Sequence, residues 1–268
     1  MSRQERVKTS PLTKWHEPQF ISSLIEDGDG KGVKVAIIDS GIEIDHPVFS
    51  GKRLKDDLQI TTERIGNAKA RKRIISPNNG LDIFGHGTAV ASLVWDTAPM
   101  AEIGSFRVFG TERSSKSEMI YEAAMEAIRK GYQIINCSFG CEQPSLLPIF
   151  KKWVDFAYLN GVHIIAAGNN SNIGKQVWPA YFSSVTASDT APALSRLNFG
   201  YNRKRMVEFY ANGTNLRLPW INGGFKATSG TSYAAPRLSG ILARILSTAP
   251  NLHPLEAKSI LIHLAQKR

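Results

Sequence analysis

The chain is almost without cysteine: Cys137 and Cys141 are the only two in 268 residues. They sit four positions apart in an apolar, strand-like segment. An extended backbone would hold them more than roughly ten ångströms apart, beyond the reach of a disulfide. Two free thiols fit a reducing compartment, and a lone C-x3-C pair excludes a zinc-knuckle reading. No apolar run reaches 18 residues, so no membrane-spanning helix is expected. The opening MSRQERVKTSPLTKWHEPQF has no apolar signal-peptide core; if Met1 is the natural start, a cytoplasmic location follows. The few histidines (His16, His46, His86, His163, His253 and His263) form no HExxH pattern, which argues against a zinc hydrolase.

Charge is uneven. The net charge is +10, and a basic surface insertion over residues 51–80 carries Lys52, Arg53, Lys55, Arg64, Lys69, Arg71, Lys72 and Arg73. No aromatic residues interleave with these cations as a nucleic-acid surface would require. A solvated surface loop accounts for them. So does a cationic field that steers an acidic polypeptide partner.

Apolar runs of two periods alternate. VKVAIID (33–39) is a continuous β-rich run of the kind buried on both faces. EIGSFRVF, QIINCSF and VHIIAAG repeat the pattern. Between them lie helix-period segments over 87–95, 116–130, ended by Gly131, and 145–160, ended by Asn160-Gly161. This βαβ alternation predicts a parallel sheet covered by helices. After Gly168 the chain is richer in loops, with short β pieces in SSVTAS and MVEFYA. Helical periodicity returns after Ser232 and from Pro254 to Gln266. No repeat or linker divides the chain, so residues 1–268 read as one domain, with 1–30 as an N-terminal extension.

In open parallel sheets, functional groups gather where strands end. Asp39 follows the first strand, His86 stands between glycines before the first helix, Asn169 follows VHIIAAG, and Ser232 opens a long helix. Each has a structural alternative: a turn for Asp39 and Asn169, a cap or packing role for His86, a helix cap for Ser232. Together they form an acyl-transfer set. A serine needs a base, an imidazole supplies one, an aspartate orients the imidazole, and an amide stabilises an oxyanion. Pro236 is expected in the first turn of the Ser232 helix.

The words DSGI, GHGTAVAS, NCSFG, AAGN and GTSYAAP occur in this order. From about Val33 to about Ala249 the chain resembles the subtilisin-like serine peptidases. The resemblance implies a three-layer α/β/α fold with a mainly parallel central sheet. It implies Asp39, His86 and Ser232 as a catalytic triad, with Asn169 and the Ser232 N–H as an oxyanion hole. It implies Ser138, Phe139 and Gly140 as one wall of the S1 cleft and Ala166, Ala167 and Gly168 as the other. Trp178-Pro179-Ala180 resembles the pocket rim, and the loop from Gly110 to Ser114, carrying Glu112 and Arg113, the edge that pairs with substrate.

The chain also departs from the family. Ala89 replaces the second histidine of HGTHVAG, and Tyr233 replaces the methionine that often follows the serine. His46-Pro47-Val48 lacks the aspartate of the principal calcium site, and no ligand loop interrupts the helix after His86. No metal or other cofactor is therefore expected, although a weak calcium site elsewhere stays open. About thirty residues precede the first strand, which fits either removal of a prodomain or a chain that folds without one. The leading reading is a serine endopeptidase acting on a polypeptide partner, with intracellular precursor- or leader-peptide processing as its expected role and an acidic recognition region on the substrate. General intracellular protein degradation and a catalytically silent peptide-binding pseudoprotease are the alternatives.

Overall fold

A computed structural model describes residues 18–64, 71–111, 114–170, 174–192 and 194–265. Nine strands form one sheet in the order β3-β2-β4-β1-β5-β6-β7-β9-β8. They are β1 (Lys34–Asp39), β2 (Asp57–Arg64), β3 (Arg71–Pro77), β4 (Glu102–Arg107), β5 (Ile134–Cys137), β6 (His163–Ala167), β7 (Thr186–Thr190), β8 (Phe199–Tyr201) and β9 (Phe209–Ala211). All neighbouring pairs are parallel except the β2–β3 and β8–β9 hairpins. A separate antiparallel hairpin pairs β10 (Leu216–Trp220) with β11 (Gly224–Thr228).

Helices cover both faces. α3 (Ser117–Arg129) and α4 (Leu147–Leu159) lie on one; α1 (Pro18–Glu26), α2 (His86–Thr97), α5 (Thr231–Thr248) and α6 (Pro254–Ala265) lie on the other. The unbroken apolar run of β1 follows from this. Val35 and Ile37 join the core under α2 and α5, while Ala36 and Ile38 join the core under α3 and α4. Side chains alternate along a strand, so Asp39, two past Ile37, falls on the α2/α5 face. The same alternation puts Asn136 of β5 on that face, where Ser239 of α5 donates to it at 2.9 Å.

The strand order reverses at β1, which has β4 on one side and β5 on the other. The crevice above such a switch point is where open α/β sheets hold their ligands, and Asp39 is the last residue of β1.

Two local expectations are corrected. The basic insertion is not a loop. Its residues 57–64 and 71–77 form the β2–β3 hairpin, with β2 paired in parallel to β4. Ile60 lies in the core and Ile75 packs against it, so burial of these isoleucines overrides the hydrophilic composition. Lys69 lies outside the described residues. Second, α5 begins at Thr231, so Pro236 is the sixth helical residue rather than part of the first turn. A proline there cannot donate to the Ser232 carbonyl four residues back. The Ser138 hydroxyl donates to that carbonyl instead, at 2.8 Å.

Candidate active site

His86 opens α2, and the backbone needed to place it there is unusual. Gly85 has φ +94°, a left-handed conformation that side chains disfavour. A Cβ on Gly85 would also stand 2.7 Å from the Trp220 ring. Entered this way, α2 directs the His86 ring at the end of β1. His86 Nδ1 lies 2.8 Å from Asp39 Oδ1 and 3.0 Å from Oδ2. Asp39 is only 1% exposed, so the carboxylate is shielded from water, while the imidazole keeps 16% of its surface open. Asp39 Oδ1 also accepts from the Ser40 N–H at 2.7 Å. The carboxylate favours a proton on Nδ1, so any base role falls to Nε2.

A residue not anticipated from the sequence organises this junction. Asp82 is buried and accepts from Ser40 Oγ at 2.8 Å, the Thr88 N–H at 2.8 Å, Thr88 Oγ1 at 2.6 Å and the Gly85 N–H at 2.9 Å. Ser40 Oγ in turn accepts from the Gly87 N–H at 3.0 Å. One carboxylate thus caps the first turn of α2 and fastens it to the turn beside Asp39. Its sequence position gives little signal, because Asp82 stands four residues before His86 and the cap position itself is Gly85.

Ser232 is the second residue of α5, in the first turn, where backbone N–H groups have no intrahelical partner and form the positive end of the helix dipole. The helix start is pinned from the β6 side. The Thr231 N–H donates to Asn170 Oδ1 and Thr231 Oγ1 donates to the Gly168 carbonyl, both at 2.8 Å. From the β5 side, Asn136 Nδ2 donates to Ser138 Oγ at 2.9 Å, continuing the chain that ends at the Ser232 carbonyl. Asn136, Ser138 and Ser239 are buried, so this polar chain is satisfied internally, as buried polar groups must be.

Asn169, at the exit of β6, is engaged: its Nδ2 donates to Glu142 Oε1 at 2.6 Å, and Glu142 pairs with Lys175. The Lys175 ammonium and the Asn169 amide together hold the Glu142 carboxyl below its usual range. Ser138, Phe139 and Gly140 leave the end of β5, while Ala166 and Ala167 end β6 next to Gly168. A Cβ on Gly140 would stand 2.1 Å from Val177. Cys141 and Trp178 form an isolated antiparallel bridge behind it. Both cysteines are free, and burial pushes the Cys137 thiol far above its ordinary range, leaving it inert. The anticipated Glu112 and Arg113 lie outside the described residues.

Asp39 and His86 line a cavity of about 360 Å³ together with Phe109, Phe139, Trp220, Lys226 and Tyr233. Tyr233 is buried beside the His86 ring, 5.4 Å between centroids, and its oxygen accepts from Thr228 Oγ1 at 3.1 Å.

The described helices include none long and apolar enough to cross a membrane. The Major intracellular serine protease of Bacillus subtilis is 29% identical over 238 residues, spanning 81% of this chain and 69% of that protein. Proteinase R of Parengyodontium album is 26% identical and spans 83% of this chain, which covers just 55% of that relative. The solved structure of Sphericase superposes with a TM-score of 0.71 at 25% identity, over 91% of this chain and 88% of that one. The profile of the Subtilase family matches residues 30–268. With that match spanning nearly the whole chain, on a three-layer fold of mainly parallel strands, the chain belongs to the subtilase family of serine peptidases.

Proposed function

We propose that the chain is a serine endopeptidase working through an acyl-enzyme, with Asp39, His86 and Ser232 as its triad. Ser232 Oγ attacks the scissile carbonyl carbon while His86 Nε2 takes the hydroxyl proton. The C–N bond then breaks as His86 returns that proton to the leaving amine. Water, deprotonated by His86, attacks the ester carbonyl, and the Ser232 oxygen leaves with the proton. Asn169 Nδ2 and the Ser232 N–H receive the oxyanion. Ser138–Gly140 and Ala166–Gly168 wall the S1 cleft. The observation that carries the reading is the contact of His86 with the buried Asp39 carboxylate at 2.8 Å, set at the switch-point end of β1. Covalent labelling by a fluorophosphonate, lost in Ser232→Ala, tests it; equal labelling of both proteins overturns it. The chemistry needs no metal. Where family members hold their principal calcium, the Val48 side chain offers no oxygen and α2 runs unbroken to Thr97.

We further propose an intracellular role in which substrates are chosen by an acidic segment. Two free thiols and the likeness to an intracellular protease favour that compartment. The β2–β3 hairpin favours the acidic segment. Asp39, Arg107 and Gln59 share one level across the sheet, and β2 continues from Gln59 to Arg64. At about 3.3 Å per residue the hairpin therefore projects roughly 17 Å past the catalytic edge. Arg64, Arg71 and Lys72 stand on that projection. Replacing these three with glutamine should raise KM for an acidic precursor peptide several-fold at low salt and leave a neutral peptide unaffected. An unchanged, salt-insensitive KM would remove the acidic-segment reading.

A further inference from the structure

The cavity in front of His86 has two unlike walls. Phe109 and Phe139 meet edge to face at 5.6 Å and belong to the core under α3 and α4. The other wall belongs to a small separate cluster in which Leu218, Tyr233 and Trp220 pack on Ala89 and Leu93 of α2. Trp220 is fixed there because Gly85 leaves room for its ring. Lys226, one strand across on β11, holds its ammonium 4.4 Å from the centre of that ring. Lys226 is exposed and has no carboxylate partner among the described residues. It lines the same cavity as Asp39 and His86. The Asp39 carboxylate is turned to the imidazole and does not compensate it.

We infer that Lys226, seated on Trp220, forms a subsite for an acidic side chain on the leaving-group side of the scissile bond. The inference rests on the endopeptidase reading above. In that reading the acyl portion of the substrate lies along Ser138–Gly140, at the Phe139 wall. The wall of Trp220, Lys226 and Tyr233 is then left to the residues released with the amine. An aromatic floor bearing one unpaired cation takes an aliphatic stem with a carboxylate at its tip, which describes glutamate. Neutral polar side chains gain less, and basic ones meet repulsion. The stacked ammonium loses little freedom on pairing, because the ring already restrains it.

Matched peptides test this, differing only by Glu, Gln or Lys at the first or second residue after the cleaved bond. At low salt, kcat/KM for Glu over Gln should be about 3- to 5-fold, falling toward unity near about 1 M salt, where charges are screened within about 3 Å. Lys226→Arg should keep the preference, Lys226→Met should abolish it, and Lys226→Glu should favour the Lys peptide. Peptides ending at those positions as acid or amide separate a side-chain carboxylate from a chain-end one. A preference that follows only the chain end overturns the glutamate assignment. A Glu/Gln ratio of one in the unaltered enzyme, or one unchanged in Lys226→Met, overturns the subsite while fluorophosphonate labelling and cleavage persist. Loss of labelling and cleavage in the unaltered enzyme would instead remove the peptidase reading and this inference with it.

Discussion

Asn169 donates its side-chain amide to Glu142 at 2.6 Å. The group proposed to receive the oxyanion is thus already facing a carboxylate, and a fixed negative charge beside developing negative charge raises the barrier. Glu142→Gln keeps an acceptor for Asn169 and removes the charge. We expect kcat to rise about 3- to 10-fold. Because Lys175 and Asn169 hold the Glu142 carboxyl below its usual range, the charge persists throughout the neutral range, and the gain should be flat from pH 6 to 9. Steady-state kinetics on one peptide across that range checks this. A tenfold fall would mean that the charge itself orients the amide.

The Ser138 hydroxyl replaces the hydrogen bond that Pro236 cannot make to the Ser232 carbonyl. Ser138→Ala leaves that carbonyl without its donor and should cost about 1–3 kcal/mol. Pro236→Ala restores a backbone N–H at the right spacing. In that background the same substitution should cost about 1 kcal/mol less. Urea unfolding of the four proteins in a double-mutant cycle measures the coupling. Additive effects would show that the two donors do not substitute for each other.

Asp82 touches no reacting atom, yet it ties the turn beside Asp39 to the first turn of the helix that begins with His86. Asp82→Asn turns one acceptor into a donor facing N–H groups. The expected loss is about 1–3 kcal/mol in stability, with kcat reduced tenfold or more and KM changed far less, because the imidazole is displaced and the substrate walls are not. Comparison with Asp82→Glu distinguishes positioning from bulk packing: the longer carboxylate should restore part of kcat.

Legibility in the sequence followed how local each cause was. β1, α2, β4, α3 and α5 carry their own periodicity, and Asp39, His86, Asn169 and Ser232 stand at edges that periodicity marks. The β2–β3 hairpin was hidden because Arg64, Lys72 and Arg73 make its composition read as solvated surface. The alternation of Ile60 and Thr62, and of Arg73 and Ile75, was the available sign. Glu142 and Lys226 could not be found from neighbours in sequence. One acts through Asn169, 27 residues away, and the other gains its place from a tryptophan that depends on Gly85. The place of Pro236 inside α5 has no local signal, because the bond it cannot make is supplied by the Ser138 hydroxyl from another element.

His163 lies on β6, 4% exposed, and burial, the dominant cause, lowers its pKa to about 4 despite a hydrogen bond to the Leu252 backbone; the nearby His253 lowers it further. The unfolded chain takes up a proton near pH 6.5, whereas the folded one resists until about pH 4. Above 6.5 the ring is neutral in both states and its contribution is intact. Between 6.5 and 4 the unfolded state binds the proton and stability falls, by up to about 3 kcal/mol. His163→Gln removes this titration and retains an amide for Leu252. Urea unfolding at pH 7 and pH 4.5 should show the unaltered protein losing about 2–3 kcal/mol more than the variant, over and above the carboxylate titrations common to both. Equal losses would mean that His163 is already protonated in the fold, with an unrecognised anion beside it.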